Sequence, residues 1–263
     1  MVDIHYNGKT VTIPSTLEEL SPNQYISYLF LVVMLKRGII EEDDFKSQLL
    51  RRLLDLKVDI TGFTPIISSA LIAQLDALDG FFIDEAGTRA PALATGRNLM
   101  PEFAGWEAKV GDMLNGMTFG DFIEAVGLMG EIHDHGEEEQ AEAFSAVARL
   151  MYRPTEKAKD KDEVPALLAI HAVTLFTSVF NQITADRVTI NGKAIDFGLI
   201  FRCVPGMPTK PDDHTGWHGI AMEVASSGVF GPVKDVHAAP LWDVLLYLYR
   251  CKFDMINDKT ARR

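Results

Sequence analysis

Two runs of the sequence hold residue types that bind metal. His133-Asp134-His135 is followed by Glu137, Glu138 and Glu139, and zinc accepts both imidazole nitrogen and carboxylate oxygen as ligands. Neighbours on an extended chain point to opposite sides, however, and a zinc site needs ligands braced from behind. This run therefore reads as a solvated acidic loop. His214 and His218 stand four residues apart, with Asp212 and Asp213 beside them, a spacing that puts both rings on one face of a helix. The run lacks the glutamate of the HExxH zinc helix, and Gly216 between the histidines weakens a helix. His214 and His218 are the metal-ligand candidates, set against solvated histidines in a first helical turn.

Nothing else nominates catalysis. A GxSxG elbow, a phosphate-cradling GxxxxGK loop and a GxGxxG dinucleotide fingerprint are all missing. Cys203 has no evident base to make it a thiolate. His171 lies in an apolar run and reads as a core histidine bonded to a backbone carbonyl. Carboxylate pairs such as Asp43-Asp44 carry no information in a chain with 37 acidic residues. No catalytic residue and no cofactor are expected. Aromatic residues are the other candidates. Phe119, Phe122, Trp217, Phe230, Trp242, Tyr247 and Tyr249 punctuate the second half. Core packing is their default role, but rings left exposed supply contact area at low entropic cost. Trp217, Phe230, Trp242 and Tyr249 are the partner-binding candidates.

Composition narrows the class. Of 263 residues, 47% are hydrophobic and 24% charged, with 20 Gly and 12 Pro, which is ordinary for a globular protein and excludes whole-chain disorder and collagen. Against 37 acidic residues there are 25 Lys and Arg, for a formal charge of -12. Such a chain repels the phosphate backbone, whose binding depends on cations displacing counterions, so no nucleic-acid partner is expected. Two cysteines, Cys203 and Cys251, form neither a disulfide framework nor a zinc knuckle. The first residues carry no secretory signal, and a cytoplasmic location is expected. Ala166 to Ile183 is long enough to touch the lower limit of a membrane span, about 17 residues. It contains His171, Asn181 and Gln182 and reads as a buried helix, so no membrane contact is expected.

The elements that must position these residues are mostly helical. Val2, Ile4 and Tyr6 alternate with polar residues, Asn7-Gly8 fits a type I′ turn, and Val11 and Ile13 return until Pro14 stops the ladder. Ser21-Pro22 opens a helix that ends at Gly38. Phe45, Leu49, Leu50, Leu53 and Leu54 form the stripe of a second. Thr64-Pro65 starts a third, through Leu78. Phe81 to Ile83 precede a possible second hairpin at Asp84 to Gly87, and a Pro-, Gly- and Ala-rich passage to Gly105 reads as an exposed excursion. Helices resume at Thr118 and run through Phe119 to Met129, then through Phe144 to Met151. An acidic loop over 131–139 separates them. Thr155 to Glu163 reads as a solvated, mobile loop. A second Asn-Gly hairpin, Val188 to Phe197, repeats the first and is expected to pair with it into one sheet. Cys203 to Asp213 is Pro-rich loop, helices follow at Trp217 to Ala225 and Pro240 to Phe253, and the tail Asn257 to Arg263 is expected to fray.

The fold class is therefore mainly α: a multi-helix core with one or two small β-hairpins as an accessory sheet. It is one domain or two loosely separated lobes. Residues 1–80 form the N-terminal hairpin and helices, 81–117 an irregular excursion, and 118–263 a C-terminal helical lobe containing the hairpin at 187–198.

Several segments together carry a resemblance. They are Ile13-Pro14 leading to Leu17-Glu18-Glu19-Leu20-Ser21-Pro22-Asn23-Gln24-Tyr25, and Phe45-Lys46 with Leu49 to Leu54. Met117-Thr118-Phe119-Gly120, Leu150-Met151-Tyr152-Arg153-Pro154, and Gly228-Val229-Phe230-Gly231 with Leu241 to Tyr249 complete the set. In these the chain resembles proteins encoded in the tail-gene modules of tailed phages and prophages of gut bacteria. The resemblance implies a structural or assembly role, of the tail-assembly-chaperone kind, and offers no catalytic residues. Its implied partners are other tail or virion proteins, its place the host bacterial cytoplasm or the virion, and oligomers are compatible with it. The alternatives are a small-molecule or metal-dependent enzyme using the His214/His218 region, and a regulatory protein binding a host factor.

Overall fold

A computed structural model of the chain describes residues 1–6, 9–55, 74–85, 87–131, 136–156, 158, 163–185, 187–190, 192–201 and 215–261. The chain divides into two units, Met1–Pro101 and Glu102–Arg263. The expected excursion over 81–117 is shared between them.

The first unit opens on strands β1 (Val2–Tyr6) and β2 (Lys9–Ile13), antiparallel with Val2 opposite Ile13 and Ile4 opposite Val11. Alternation puts Ile4 and Ile13 in the core. Helix α1 (Pro22–Lys36) starts as its sequence requires, with Pro22 at the first position and the Ser21 N–H donating to Gln24 Oε1 at 3.0 Å. Helix α2 (Glu42–Leu53) packs on α1, burying Phe45, Leu49, Leu50 and Leu53. Its first turn is acidic and its last basic, matching the helix dipole. A 3-10 turn, Leu75–Phe81, leads into β3 (Phe82–Glu85) and β4 (Thr88–Pro91), the second hairpin, with Glu85 opposite Thr88. The expected third helix lies outside the described residues as far as Ala73, and its last residues, Leu75 to Leu78, are 3-10 helix.

Residues 92–101 correct the reading of an exposed excursion, because Thr95, Leu99 and Met100 are buried. The segment has no periodicity because side chains close its turns locally. Thr95 Oγ accepts from the Arg97 N–H at 3.0 Å and Asn98 Oδ1 from the Met100 N–H at 3.0 Å.

The second unit contains a sheet that hydrophobic alternation missed, β5 (Glu102–Phe103), β6 (Trp106–Ala108) and β7 (Tyr152–Pro154), in that order and antiparallel. Ala104 and Gly105 form its two-residue turn, both at positive φ, 51° and 89°. Helix α3 (Phe119–Glu131) is capped by Thr118 Oγ, which accepts from the Asp121 N–H at 3.1 Å. Helices α4 (Glu137–Met151) and α5 (Ala166–Ala185) pack side by side. Then come β8 (Val188–Ile190), β9 (Lys193–Ile195), and helices α6 (Gly198–Phe201), α7 (Gly216–Ser226), α8 (Val233–Ala238) and α9 (Leu241–Ala261). The start of α3 is tied to the start of α9: the Phe119 N–H donates to Ala239 O at 2.9 Å and the Leu241 N–H to Met117 O at 3.0 Å. The protein is mainly α with small accessory sheets.

Four further expectations change. The two Asn-Gly hairpins are separate two-stranded sheets, with both turn asparagines outside the described residues. Glu131 closes α3 and Glu137–Glu139 form the first turn of α4, where carboxylates complement the dipole, so the acidic loop is shorter than expected. At the start of the 155–163 loop, Thr155 donates to Gly105 O through its N–H at 2.8 Å and its Oγ at 2.7 Å, and Ala158 is buried against Gly105. The C-terminal tail is helical through Ala261. Among the described residues, α5 is the helix long and apolar enough to cross a membrane. Half of its apolar stretch is buried inside the protein, His171 included.

Candidate functional site

The aromatic candidates of the second unit fall into two groups and a separate pair. In the larger, Phe122 of α3 stands 5.2 Å from Trp217, 5.8 Å from Phe176 and 6.1 Å from Phe180, centroid to centroid. Trp217, on α7, meets Phe122 edge-on at 88°, Phe119 at 75° and Phe201 at 66°. These edge-to-face contacts are the arrangement that ring quadrupoles favour. In the smaller group Trp242 donates its indole N–H to Met113 O at 2.9 Å and lies 5.6 Å from Phe197. Tyr249 lies 5.9 Å from Phe197 and stacks on Phe253 at 5.9 Å. Phe230 meets Tyr247 edge-on at 5.6 Å. All four partner-binding candidates, Trp217, Phe230, Trp242 and Tyr249, are half-buried, and each is held by another ring.

The exposed apolar side chains are different ones. Met222 of α7 is 56% exposed, and Val229 and Val233, which lead into and open α8, are 63% and 38% exposed. Phe253 and Met255 on α9 are 41% and 42% exposed. Attention to aromatics passed over the first three. A signal was available: Trp217, Ala221 and Val224 share the inward face of α7 by spacing, and Met222 falls off it.

Of the metal-ligand candidates, His214 lies outside the described residues, as do His133 to His135 and Cys203. His218 stands exposed in the first turn of α7. Its neighbour is His237, from α8, whose ring centroid is 5.9 Å away. Nothing in the spacing of 218 and 237 announces that meeting. Among the described residues no three His, Cys, Asp or Glu side chains gather as a metal site. Cys251 is a free, exposed thiol on α9.

His171 is a core histidine, as expected. It is fully buried on α5 with its ring 6.4 Å from Tyr152, and burial pushes its pKa down to about 4, so it is neutral. An open hollow of about 520 Å³ lies between the β5–β6 turn and the segment after β7, lined by Phe103, Trp106, Thr155 and the carboxylates Glu102 and Glu156. The Trp106 indole N–H is buried and has no hydrogen-bond partner among the described residues.

No known protein family, curated protein or solved structure matches this chain. The functional reading therefore rests on the residues described above.

Proposed function

We propose that the protein is a non-catalytic structural or tail-assembly protein of a tailed phage, acting through contacts with other tail or virion proteins. The observation that carries this reading is the exposed apolar stretch across α7 and α8 of the second unit. Met222 on α7, Val229 in the connection after it and Val233 at the start of α8 are exposed within twelve residues of sequence, and the two helices pack on one another. Clustered apolar side chains left in water mark surfaces that a partner covers. Trp217 and Phe230, in the same stretch of sequence, are half-buried and held by Phe122 and Tyr247. The formal charge of -12 supports the same reading, since net charge opposes association and keeps an aggregation-prone partner in solution.

Co-expression with any tail-tube and tape-measure proteins encoded in the same genome tests it. Co-elution from a sizing column is expected, and it is lost in a Met222→Glu/Val229→Glu double variant that keeps the wild-type circular dichroism. Gene neighbours without virion parts overturn the reading, and so does a double variant that co-elutes as the wild type does.

A further inference from the structure

The connection between α7 and α8 offers apolar side chains and little else. From Val224 to Val233 the sequence holds no charged residue. Its two serines turn inward: the Ser226 hydroxyl donates to Met222 O at 2.8 Å and the Ser227 hydroxyl to Val224 O at 2.6 Å. The N–H groups of Ser227, Gly228 and Val229 are also spent, on Glu223 O, Ala225 O and Ser227 Oγ, and Pro232 has none. Gly228 and Gly231 turn the chain at positive φ, 76° and 84°, and Val229 between them is 63% exposed. After a helix-ending glycine the next side chain commonly packs back on the last turn. Val229 stands out from it. Lys234, beside Val233, is exposed and makes no ion pair among the described residues.

The hollow beside the β5–β6 turn has the complementary character. Trp106 is buried and Phe103 half-buried, whereas Glu102 and Glu156 are exposed, so the apolar wall lies inside and the carboxylates on the solvent side. Its lining residues include no lysine or arginine. Both features belong to the second unit. We propose that the hollow of one copy receives the α7–α8 connection of a second copy, with Val229 and Val233 against Phe103 and Trp106 and with Lys234 facing Glu102. Removal of apolar side chains from water supplies the attraction, and the lysine–carboxylate pair sets the orientation. Because the two surfaces differ, the contact either repeats from copy to copy or is made twice across a two-fold axis. The inference shares its exposed stretch with the assembly reading but needs only this chain, and the two occupants exclude each other there.

Sedimentation velocity of the purified full chain, at loadings raised to about 1 mM, tests the proposal. The wild type is expected to pass from monomer to larger species as concentration rises, and a remote Thr10→Glu variant to do the same. Val229→Glu and Glu102→Lys each weaken that step about tenfold or more. Both positions are exposed, so the fold is kept, and circular dichroism checks it. An equimolar mixture of these two variants retains one intact connection and one intact hollow on different molecules. It is expected to form a dimer and nothing larger. A wild type that stays monomeric at every loading overturns the proposal, as does either variant associating like the wild type, or a mixture that remains monomeric. Self-association without co-elution of tail proteins sinks the assembly reading alone, and co-elution without self-association sinks this one alone.

Discussion

In the first unit the central rings are tied down by hydrogen bonds and charge, whereas in the second they are held by other rings. Tyr28 of α1 is fully buried among Tyr25, Phe45 and Phe81, and its hydroxyl donates to Phe81 O at 3.2 Å and Ala92 O at 2.6 Å. Phe82, next in the chain, is flanked by Lys46 Nζ at 5.3 Å and the Arg89 guanidinium at 5.0 Å, and both cations pair with Asp79 and Glu42. Phe122, by contrast, stands among the rings of Phe119, Phe176, Phe180 and Trp217. A polar tip that must reach particular carbonyls fixes a unique arrangement, while ring-on-ring packing takes its strength from volume. Damage to the two regions should differ in kind: lost volume in the second unit, stranded polar groups and lost charge pairs in the first.

Phe122→Ala should have the largest effect, a loss of about 3–5 kcal/mol in urea unfolding, because the ring is fully buried amid four others. A loss below about 1 kcal/mol would mean that the neighbouring rings collapse into the space, and the contrast between the units would fail.

His171 introduces pH into the ring-packed unit. Its folded pKa, about 4, is below the ordinary 6.5, so between these values the unfolded chain binds the proton that the native core refuses. The contribution of this group is fully present above about pH 6.5 and is lost as pH falls towards 4, an effect on the order of 2–3 kcal/mol. Unfolding free energies at pH 7.5, 6 and 5 should therefore decline in the wild type and decline less in His171→Phe. Parallel profiles would show that burial does not hold this histidine neutral.

Tyr28→Phe tests the hydrogen-bonded region. It keeps the ring and takes the hydroxyl donor from Ala92 O, while Phe81 O still accepts from the Ala92 N–H at 2.8 Å, at a cost of about 1–3 kcal/mol. A neutral substitution would put the first unit in the same class as the second.

Much of the helical frame was legible because periodicity over a dozen residues is a strong signal. Phe45, Leu49, Leu50 and Leu53 recur at helical spacing and are all buried, and the β1–β2 register follows from alternation up to Pro14. The β5–β6–β7 sheet was not legible, since strands of two and three residues are too short for alternation to register, and β7 lies more than forty residues beyond β6. The burial of Thr95, Leu99 and Met100 was hidden for a related reason: local side-chain turns satisfy the backbone without leaving any period. The candidate site followed the same rule. The aromatic residue types were visible, but the exposure of Met222 and Val229, and the meeting of His218 with His237, depend on how separate helices pack.

The smallest predicted effect separates charge from hydrogen-bond geometry within the first unit. Asp79 is half-exposed, and its carboxyl is held below the usual range chiefly by the hydrogen bond from Lys46 and also by Arg89. At that exposure an ion pair contributes at most about 1 kcal/mol, so Asp79→Asn, which keeps the shape and removes the charge, should cost less than Tyr28→Phe. The two costs should also respond differently to salt. At about 1 M NaCl screening acts over roughly 3 Å, so most of the Asp79→Asn penalty should vanish, whereas the neutral Tyr28 hydroxyl and its carbonyl partners should be unaffected. Unfolding of both variants in low and high salt reads this directly. If the Asp79→Asn cost survives high salt, the side chain works through hydrogen-bond geometry as Tyr28 does, and the first unit is held by directional bonds throughout.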